Sequence, residues 1–345
     1  MARRGGGRGH RDRAPLGRAR RRGILSVAPS IGGRGDTSPR GTALRGLTAL
    51  IGACTIWGLS PLYYAALSHV PAAEVMAHRI LWSAVFFGAI VALQGRIGSV
   101  LALLGARALR VRLVASTVFV SSNWFLFIWA VQSGRTVESS LGYYIAPLMA
   151  VIVGRVYFGE RLSSLRWTAT ALAALGVMIL AAWLGAPPWV SLAIALTFTL
   201  YGVAKRGLDA PALISVLAEV LLLAPIALFW IAVMVPGKGA MVDPVDAGLL
   251  LLSGPLTALP LILFSYASRR MTLATLGVVG YLNPTLQFVG AVTILGEPVT
   301  AVHLLAFGLI WTALALYSAA AFRRERRTGG DIAAREKVAT DPPPP

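Results

Sequence analysis

The chain has 345 residues, of which 56% are hydrophobic and only 13% are charged, and its mean hydropathy is +0.70. Soluble globular proteins carry about 25% charged residues, so this composition excludes a water-soluble globular fold and indicates lipid as the main solvent. The formal charge of +18 would suit a nucleic-acid-binding protein, but the basic residues are concentrated near both ends of the chain. The one cysteine, Cys54, excludes an internal disulfide and a cysteine-based metal site.

The first 42 residues are rich in arginine and glycine and contain few apolar residues. Such a segment cannot bury a hydrophobic core, so we predict a disordered tail over residues 1–42. Its charge allows two interpretations, an arm that binds nucleic acid or a cytoplasmic tail that helps to set membrane topology. We favour the second and expect no nucleic-acid partner.

Ten apolar runs follow, each long enough or nearly long enough to cross a bilayer as a helix. The first five, within residues 43–184, are Ala43–Leu67, Ala73–Gln94, Val111–Val131, Val137–Phe158 and Leu165–Leu184. The second five, within residues 189–322, are Trp189–Ala204, Pro211–Val235, Ala247–Ser268, Thr272–Leu295 and Ala301–Phe322. Backbone groups that face lipid must bond within their own segment, so we predict an all-α integral membrane protein with ten transmembrane helices. Residues 323–345 are predicted to form a second disordered tail.

Lysine and arginine are distributed unequally between the two sides of these spans. With the N-terminus in the cytoplasm, only Arg135 and Lys238 of the 32 basic residues fall outside, and Arg79 lies within a span. Cytoplasmic loops are enriched in Lys and Arg. We therefore predict a multi-pass protein of the cell (plasma) membrane with both termini in the cytoplasm.

An internal repeat relates the two halves of the chain. The run Tyr144-Ile145-Ala146-Pro147 is followed by Gly159-Glu160, and Tyr281-Leu282-Asn283-Pro284 is followed by Gly296-Glu297, at a constant offset of 137 positions. The offset crosses five spans, and because five is odd the second copy lies upside down in the membrane. Two inverted five-helix repeats can exchange conformations and open a central site to each side in turn, so the pattern indicates a transporter.

Ionisable residues inside a span cost about 2.5–3.5 kcal/mol on insertion scales and usually face the protein interior or a water-filled cavity. Aligning Pro71 with Pro211 places Arg79 opposite Glu219 in the inverted repeats. Our hypothesis is that these two residues approach each other and flank a central site. A buried structural ion pair that never touches substrate is the alternative. His78 is either a proton carrier, because its ordinary pKa is near neutrality, or a structural histidine.

Further polar and aromatic residues in the spans are candidates for a cavity wall, although each aromatic side chain taken alone also fits simple packing. They are Trp57, Asn123, Trp124, Tyr144, Tyr281, Asn283 and Gln287. Pro147 and Pro284 remove a backbone donor and are predicted to kink their helices. Glu74 is expected at the exposed external rim, and Glu160 and Glu297 are expected to cap neighbouring helices rather than bind substrate.

Several runs of residues resemble the EamA family of the drug/metabolite transporter superfamily. They include Trp57–Tyr63, Ala77–Ser83, Leu141–Pro147, Gly254–Leu261 and Pro284–Phe288, and the likeness extends over residues 41–322. The resemblance implies a ten-helix permease of the inner membrane that moves metabolites, amino acids or drugs. The chain differs from the family pattern in its long Arg-rich arm and in Asn283, where alanine is expected.

No Walker A motif, nucleophile elbow or zinc-protease pattern is present in the sequence. We therefore expect no enzyme activity, no cofactor and no metal, and we expect a proton or solute gradient to drive transport. The predicted function is secondary-active export of a small metabolite or drug, such as amphenicols or amino acids, by alternating access. The alternative is a non-transport membrane scaffold or sensor whose basic cytoplasmic tails bind partners. A monomer can enclose a central site, and a dimer is compatible with the sequence.

Overall fold

The computed structural model describes residues 39–158, 164–184, 188–205, 208, 210–235, 237, 239–271 and 273–319. Every regular element in these residues is a helix. The α-helices are α1 (Pro39–Ala66), α2 (Ala72–Leu93), α3 (Ile97–Gly105), α4 (Arg110–Gln132), α5 (Thr136–Phe158), α6 (Ser164–Leu184), α7 (Trp189–Lys205), α8 (Ala212–Met234), α9 (Pro244–Ser268), α10 (Leu273–Gly280), α11 (Leu282–Thr293) and α12 (Ala301–Ala319). Short 3₁₀ turns lie at Arg107–Leu109 and Gly239–Val242.

Seven segments in the described residues are long and apolar enough to cross a membrane. They lie in α1, α2, α4, α5, α8, α9 and α12, with α4 extended by the preceding 3₁₀ turn. Apolar parts of α6 and α7, Trp167–Trp183 and Trp189–Lys205, are shorter. Each predicted span therefore coincides with helical structure, and the count of ten spans stays a prediction.

The structure differs from the predicted elements in three places. Helix α1 begins at Pro39, four residues before the predicted span, because proline is well accommodated in the first helical turn. Helix α3 lies between the second and third predicted spans, where no helix was predicted. The predicted ninth span is divided into α10 and α11. The rest of both predicted tails, and Glu160, lie outside the described residues.

Pro284 explains the division between α10 and α11. A residue in an α-helix donates its N–H to the carbonyl four positions earlier, so Pro284 leaves the carbonyl of Gly280, the last residue of α10, without that donor. Tyr281 lies in the break and precedes α11. Pro147 occupies the matching repeat position, yet α5 continues through it as one helix.

Glycines at three helix crossings allow unusually close packing. A Cβ atom at Gly142 of α5 would lie 2.8 Å from the Ser191 carbonyl oxygen of α7, and one at Gly254 of α9 would lie 2.6 Å from the Trp82 oxygen of α2. A Cβ atom at Gly58 of α1 would lie 2.6 Å from Leu286 Cβ of α11. Contacts this short exclude any side chain, and close approach of this kind is what small residues provide in membrane bundles.

Two glutamates bind backbone amides at the ends of helices. Glu297 accepts hydrogen bonds from the N–H groups of Thr136 (2.6 Å) and Val137 (2.8 Å) at the start of α5, as expected for a capping residue. Glu74 accepts one from the Ala240 N–H at 2.7 Å. The expectation of an exposed Glu74 is wrong, since the residue is buried under the 3₁₀ turn that follows α8.

Candidate functional site

Glu219 lies two turns into α8 and is completely buried, with 0% of its surface exposed. Its Oε1 atom lies 2.9 Å from Lys205 Nζ and accepts a hydrogen bond of 2.7 Å from the Ser116 hydroxyl. Its Oε2 atom accepts a longer hydrogen bond, 3.4 Å, from the Tyr201 hydroxyl. One carboxylate thus joins α4, α7 and α8, and a buried charge with a partner and several donors is far less costly than a bare one.

Lys205, the last residue of α7, is held from several directions. Besides Glu219, its ammonium group donates to Ser215 Oγ at 2.6 Å and lies 5.2 Å from the centre of the Tyr201 ring. A cation in the last turn of a helix is also favoured by the helix dipole. The sequence places Lys205 in a loop, and its long side chain explains how it reaches into the bundle.

Arg79 forms a second buried cationic centre, with 8% of its surface exposed. Its Nε donates to Thr257 Oγ1 at 3.1 Å, and the Thr257 hydroxyl donates in turn to the Ser253 carbonyl at 2.8 Å. The guanidinium carbon lies 4.1 Å from the centre of the Trp124 ring and 5.8 Å from that of Tyr64. Cation–π attraction of this kind strengthens where water is excluded.

The close crossing of α2 and α9 positions Arg79. Gly254 lets the α9 backbone approach the Trp82 carbonyl of α2. Arg79 lies about one turn before Trp82 on α2, and Thr257 lies about one turn after Gly254 on α9. The missing side chain at Gly254 therefore brings the guanidinium within hydrogen-bonding distance of Thr257.

The expected pairing of Arg79 with Glu219 is not found. Within the described part of the chain, the ion pair of Glu219 is with Lys205, and Arg79 forms no ion pair with any carboxylate. Helices α2 and α8 do pack together, as that hypothesis expected. The alignment identified two buried charges on neighbouring helices but not the partner of each.

Asn123 connects three helices through a satisfied side-chain amide. Its Nδ2 donates to the Ile194 carbonyl and to Thr197 Oγ1, each at 3.1 Å, and its Oδ1 accepts from the Tyr143 hydroxyl at 3.1 Å. Both the nitrogen and the oxygen of the side-chain amide have partners, so Asn123 fixes α4 and α5 against α7. The neighbouring Tyr143 ring also packs edge-on against Phe127, 5.9 Å away between centres.

Histidine 78 is buried on α2, one turn after Glu74. No hydrogen bond of its ring occurs within the described residues, in contrast to the exposed His69, which contacts Asp246 at 2.7 Å, and to His303, which lies 2.8 Å from the Thr300 hydroxyl. Its roles as a proton carrier or as a structural residue remain the two predictions made from the sequence.

Tyr144 and Tyr281, the matching tyrosines of the repeat, face each other with ring centres 6.4 Å apart and planes inclined by 24°. Thr285 donates to the Tyr281 carbonyl at 2.7 Å, so its oxygen is free to accept from the Tyr144 hydroxyl at 2.6 Å. Both tyrosines line a pocket of about 400 Å³ between α5, α10, α11 and α12. The other residues that line it are Val278, Thr285, Trp311, Leu314, Ala315 and Ser318.

Trp57, Asn283 and Gln287 lie near the crossing of α1 and α11. The Trp57 ring centre is 5.8 Å from that of Phe264, while Gln287 Nε2 donates to Asn283 Oδ1 at 2.9 Å. Gln287 is only 2% exposed, and its Oε1 atom has no hydrogen-bond partner within the described residues. A buried acceptor without a partner reduces stability. The crossing of α1 and α11 is therefore a polar site within an otherwise apolar bundle.

The predicted residues thus fall into separate groups around Arg79, Glu219, Tyr144 and Gln287. Sequence analysis missed several partners in these groups: Tyr64, Ser116, Tyr201, Lys205, Thr257, Thr285 and Trp311. Hydroxyl-bearing residues in apolar spans are a usable signal, since each must find a partner there. No cluster of three or more His, Cys, Asp or Glu side chains suited to a metal ion occurs in the part of the chain that the structure describes.

Comparison with known proteins shows which transporter family the chain belongs to. Residues 44–182 match the model of the EamA-like transporter family. An uncharacterized transporter of Pseudomonas aeruginosa is 41% identical over 286 residues, covering 82% of this chain and 94% of that protein. Protein RarD of Escherichia coli is 33% identical over 287 residues, covering 82% of this chain and 97% of RarD. One crystal structure has a similar fold, with a TM-score of 0.54 and 18% identity over 83% of this chain and 99% of that one.

Proposed function

Because the chain belongs to the EamA family of the drug/metabolite transporter superfamily, we propose that it is a secondary-active transporter that exports a small molecule by alternating access. The family and the apolar helices together make it a multi-pass membrane protein.

The Lys205–Glu219 ion pair is the observation that carries this proposal. Glu219 is fully buried and Lys205 is partly buried within a bundle of apolar helices, where charges are rare and usually serve ion or substrate pathways. Protonation of Glu219 would replace a carboxylate by a neutral acid and leave Lys205 without its counter-charge. That change would weaken the link between α7 and α8, so proton binding and helix movement would be coupled through one side chain.

Two inverted five-helix repeats would provide the two alternating conformations. Helix α5 packs against α7 as α11 packs against α1, and α4 packs against α7 as α9 packs against α1. Helices α1 and α7, α4 and α9, and α5 and α11 are each five spans apart in the proposed order. The second contact in each comparison is therefore the repeat equivalent of the first. The stacking of Tyr144 on Tyr281 across α5 and α11 supports the same pseudo-symmetry, because equivalent residues meet only near a two-fold axis.

In the proposed topology the protein lies in the plasma membrane with ten spans and both termini in the cytoplasm. Lys205, Glu219 and Ser116 are then near the cytoplasmic ends of α7, α8 and α4. The ion pair would hold that end of the bundle closed while the other end is open. A monomer is sufficient for this arrangement.

The proposed substrates are small metabolites or drugs, with amino acids and amphenicols as the first classes to test. Ligand pockets of about 300–1,000 Å³ suit small molecules, and the pocket beside Tyr144 and Tyr281 is within that range at about 400 Å³. Its walls are mostly apolar and aromatic, with hydroxyl groups from the tyrosines, Thr285 and Ser318.

The proposal is tested by uptake of labelled amino acids and chloramphenicol into inside-out membrane vesicles with an acidic lumen. Wild-type protein should accumulate at least one solute, and collapse of the pH gradient should abolish accumulation. Glu219→Gln should remove the pH-gradient dependence, whereas Glu138→Gln should retain it, since Glu138 is partly exposed and pairs with Arg135 at 3.5 Å. Equal gradient dependence in wild type and Glu219→Gln would exclude Glu219 as the coupling residue.

A further inference from the structure

Arg79 is a buried cation without a carboxylate partner in the described part of the chain. Lys205, a cation that is only partly buried, has Glu219 within 2.9 Å. Desolvating a guanidinium without a counter-charge is costly, and buried charges are normally paired. The bundle therefore maintains a positive centre that its own described residues leave uncompensated.

The terminal nitrogens of the Arg79 guanidinium are not used by its hydrogen bond within the described residues. Only Nε is engaged, by Thr257 Oγ1, and neither terminal nitrogen has a hydrogen-bond partner within the described residues. Neither nitrogen is a fully buried atom without a partner, so each keeps some accessible surface. The terminal nitrogens carry four of the five N–H donors of the guanidinium, and donors of this kind bind a carboxylate in a bidentate pair.

Aromatic rings and Thr257 fix the orientation of that edge. Trp124 lies 4.1 Å from the guanidinium carbon, and Thr257 is itself oriented by its bond to the Ser253 carbonyl. Pre-organisation of this kind reduces the entropy lost when an anion binds. A guanidinium held by its Nε and by ring contacts alone is thus well suited to bind an anion.

The surroundings of Arg79 also define the rest of the ligand. The Tyr64 ring packs edge-on against Phe127 at 5.7 Å, and Phe127 packs against Tyr143 at 5.9 Å. Tyr64 (2% exposed) and Phe127 (5% exposed) are buried beside the guanidinium, whereas Trp124, which lies on it, and Tyr143 are only partly buried. A ligand with a flat or apolar body next to its charged group would fit both features.

We propose that Arg79, which is separate from the pocket beside Tyr144 and Tyr281, binds the carboxylate of the transported molecule and that the substrate is a small organic acid, amino acids included, with an apolar or aromatic body. This inference rests on the proposed transport function and narrows it to one substrate class. Neutral amphenicols would not use the Arg79 contact.

Thermal unfolding of the purified full-length protein tests the binding step without requiring transport. The probes are 3-phenylpropanoate and its uncharged amide, together with L-phenylalanine and L-phenylalaninamide. A carboxylate should bind wild type at least about tenfold more tightly than its matched amide, since hydrogen bonds between charged groups are the stronger kind. Arg79→Gln should reduce that ratio to about one while leaving the amide affinity unchanged.

Arg135→Gln is the matched control, because Arg135 also lies over a tryptophan, Trp129 at 5.6 Å, but is exposed and paired with Glu138. The carboxylate preference should persist in that variant. If Arg79→Gln fails to fold, Arg79→Lys keeps the charge and should retain a weaker preference without the bidentate pair.

The result that would overturn the proposal is equal stabilisation of wild type by carboxylate and amide in both pairs, or equal stabilisation by inorganic phosphate and 3-phenylpropanoate. Carboxylate binding that depends on Arg79 without any uptake into vesicles would support this site and contradict the transport function. Uptake of neutral solutes alone, unchanged in Arg79→Gln, would support transport and contradict the acid-binding site.

Discussion

The charge of Glu219 depends on one cation and two hydroxyl groups, because the residue has no exposed surface. Removing one partner of a buried ion pair costs about 3–5 kcal/mol, whereas replacing both with apolar groups is often nearly neutral. We expect Lys205→Met and Glu219→Leu each to reduce the free energy of unfolding, and the double variant to recover much of that loss. Unfolding titrations in mixed micelles should give a coupling energy between about 0.5 and 3 kcal/mol.

Arg79 provides the control for this cycle, since it has no ion pair with Glu219 in the described structure. Arg79→Leu and Glu219→Leu should combine additively to within about 0.5 kcal/mol. Strong coupling of Arg79 to Glu219, with none between Lys205 and Glu219, would contradict the pairing of Glu219 with Lys205 in the structure.

The lack of a side chain at Gly254 allows the close α2–α9 crossing and, with it, the Arg79–Thr257 hydrogen bond. A Cβ atom there would lie 2.6 Å from the Trp82 oxygen, so Gly254→Ala must push α9 away from α2. Overpacking of this kind costs about 1–3 kcal/mol, and the Arg79–Thr257 hydrogen bond should be lost with it. Thermal unfolding should show a lower midpoint for Gly254→Ala than for wild type.

Gly248→Ala is the control on the same helix, since a Cβ atom at Gly248 has no heavy atom within 4 Å. Its unfolding midpoint should equal or exceed that of wild type, because alanine favours a helix by about 1 kcal/mol over glycine. Equal midpoints for the two variants would show that the crossing tolerates a methyl group.

The sequence identified individual site residues better than their partners. Arg79, Glu219, Tyr144 and Tyr281 stand out because polar or repeated residues are rare in apolar spans. Their partners depend on which helix faces meet, and a repeat offset specifies depth in the membrane rather than rotation about each helix axis. Lys205 is the example, since its distance along the chain gave no sign that it reaches Glu219.

At the scale of helices, Glu297 is an N-terminal cap supplied by a distant part of the chain. It accepts both the Thr136 and Val137 N–H groups, which have no partner within α5. Glu297→Gln removes the negative charge and should cost about 1 kcal/mol of stability. Hydrogen exchange should accelerate in the first turn of α5 and remain unchanged at the centre of α2.

Asp246→Asn is a suitable control for the loss of one charge, since Asp246 only pairs with the exposed His69. Exposed pairs contribute about 0–1 kcal/mol, so α5 should exchange as in wild type. Unaltered exchange in Glu297→Gln would mean that the cap does not stabilise α5.

Helix positions follow from the sequence more directly than helix continuity does. Long apolar runs leave little choice in a bilayer, and the ends of most helices agree with the predicted spans to within a few residues. The two repeat prolines behave differently because their contexts differ. Pro284 follows Gly280 and Asn283, which are weak helix formers, whereas Pro147 follows Ala146, the strongest. Helix α3 was missed because its nine residues are too few to span.

For the whole molecule, topology can be tested with single cysteines because Cys54 is the only natural one. In a Cys54→Ala background, Ser133→Cys and Ser99→Cys place thiols at two exposed positions. Ser133 is predicted to be outside and Ser99 inside, so a membrane-impermeant maleimide added to intact cells should label only Ser133→Cys. Both should react after permeabilisation. Labelling of Ser99→Cys in intact cells would reverse the proposed orientation.

Solute counterflow in proteoliposomes tests the central claim, transport by this chain, most directly. Liposomes that contain the purified protein and an excess of unlabelled solute are diluted into labelled solute, and transient accumulation of label is measured without any energy source. We predict accumulation for at least one amino acid or amphenicol, and undiminished accumulation after deletion of residues 1–37 and 323–345. If folded protein gives no accumulation above protein-free liposomes for any solute tested, the transport function is contradicted, and a scaffold or sensor that acts through its basic tails becomes the better explanation.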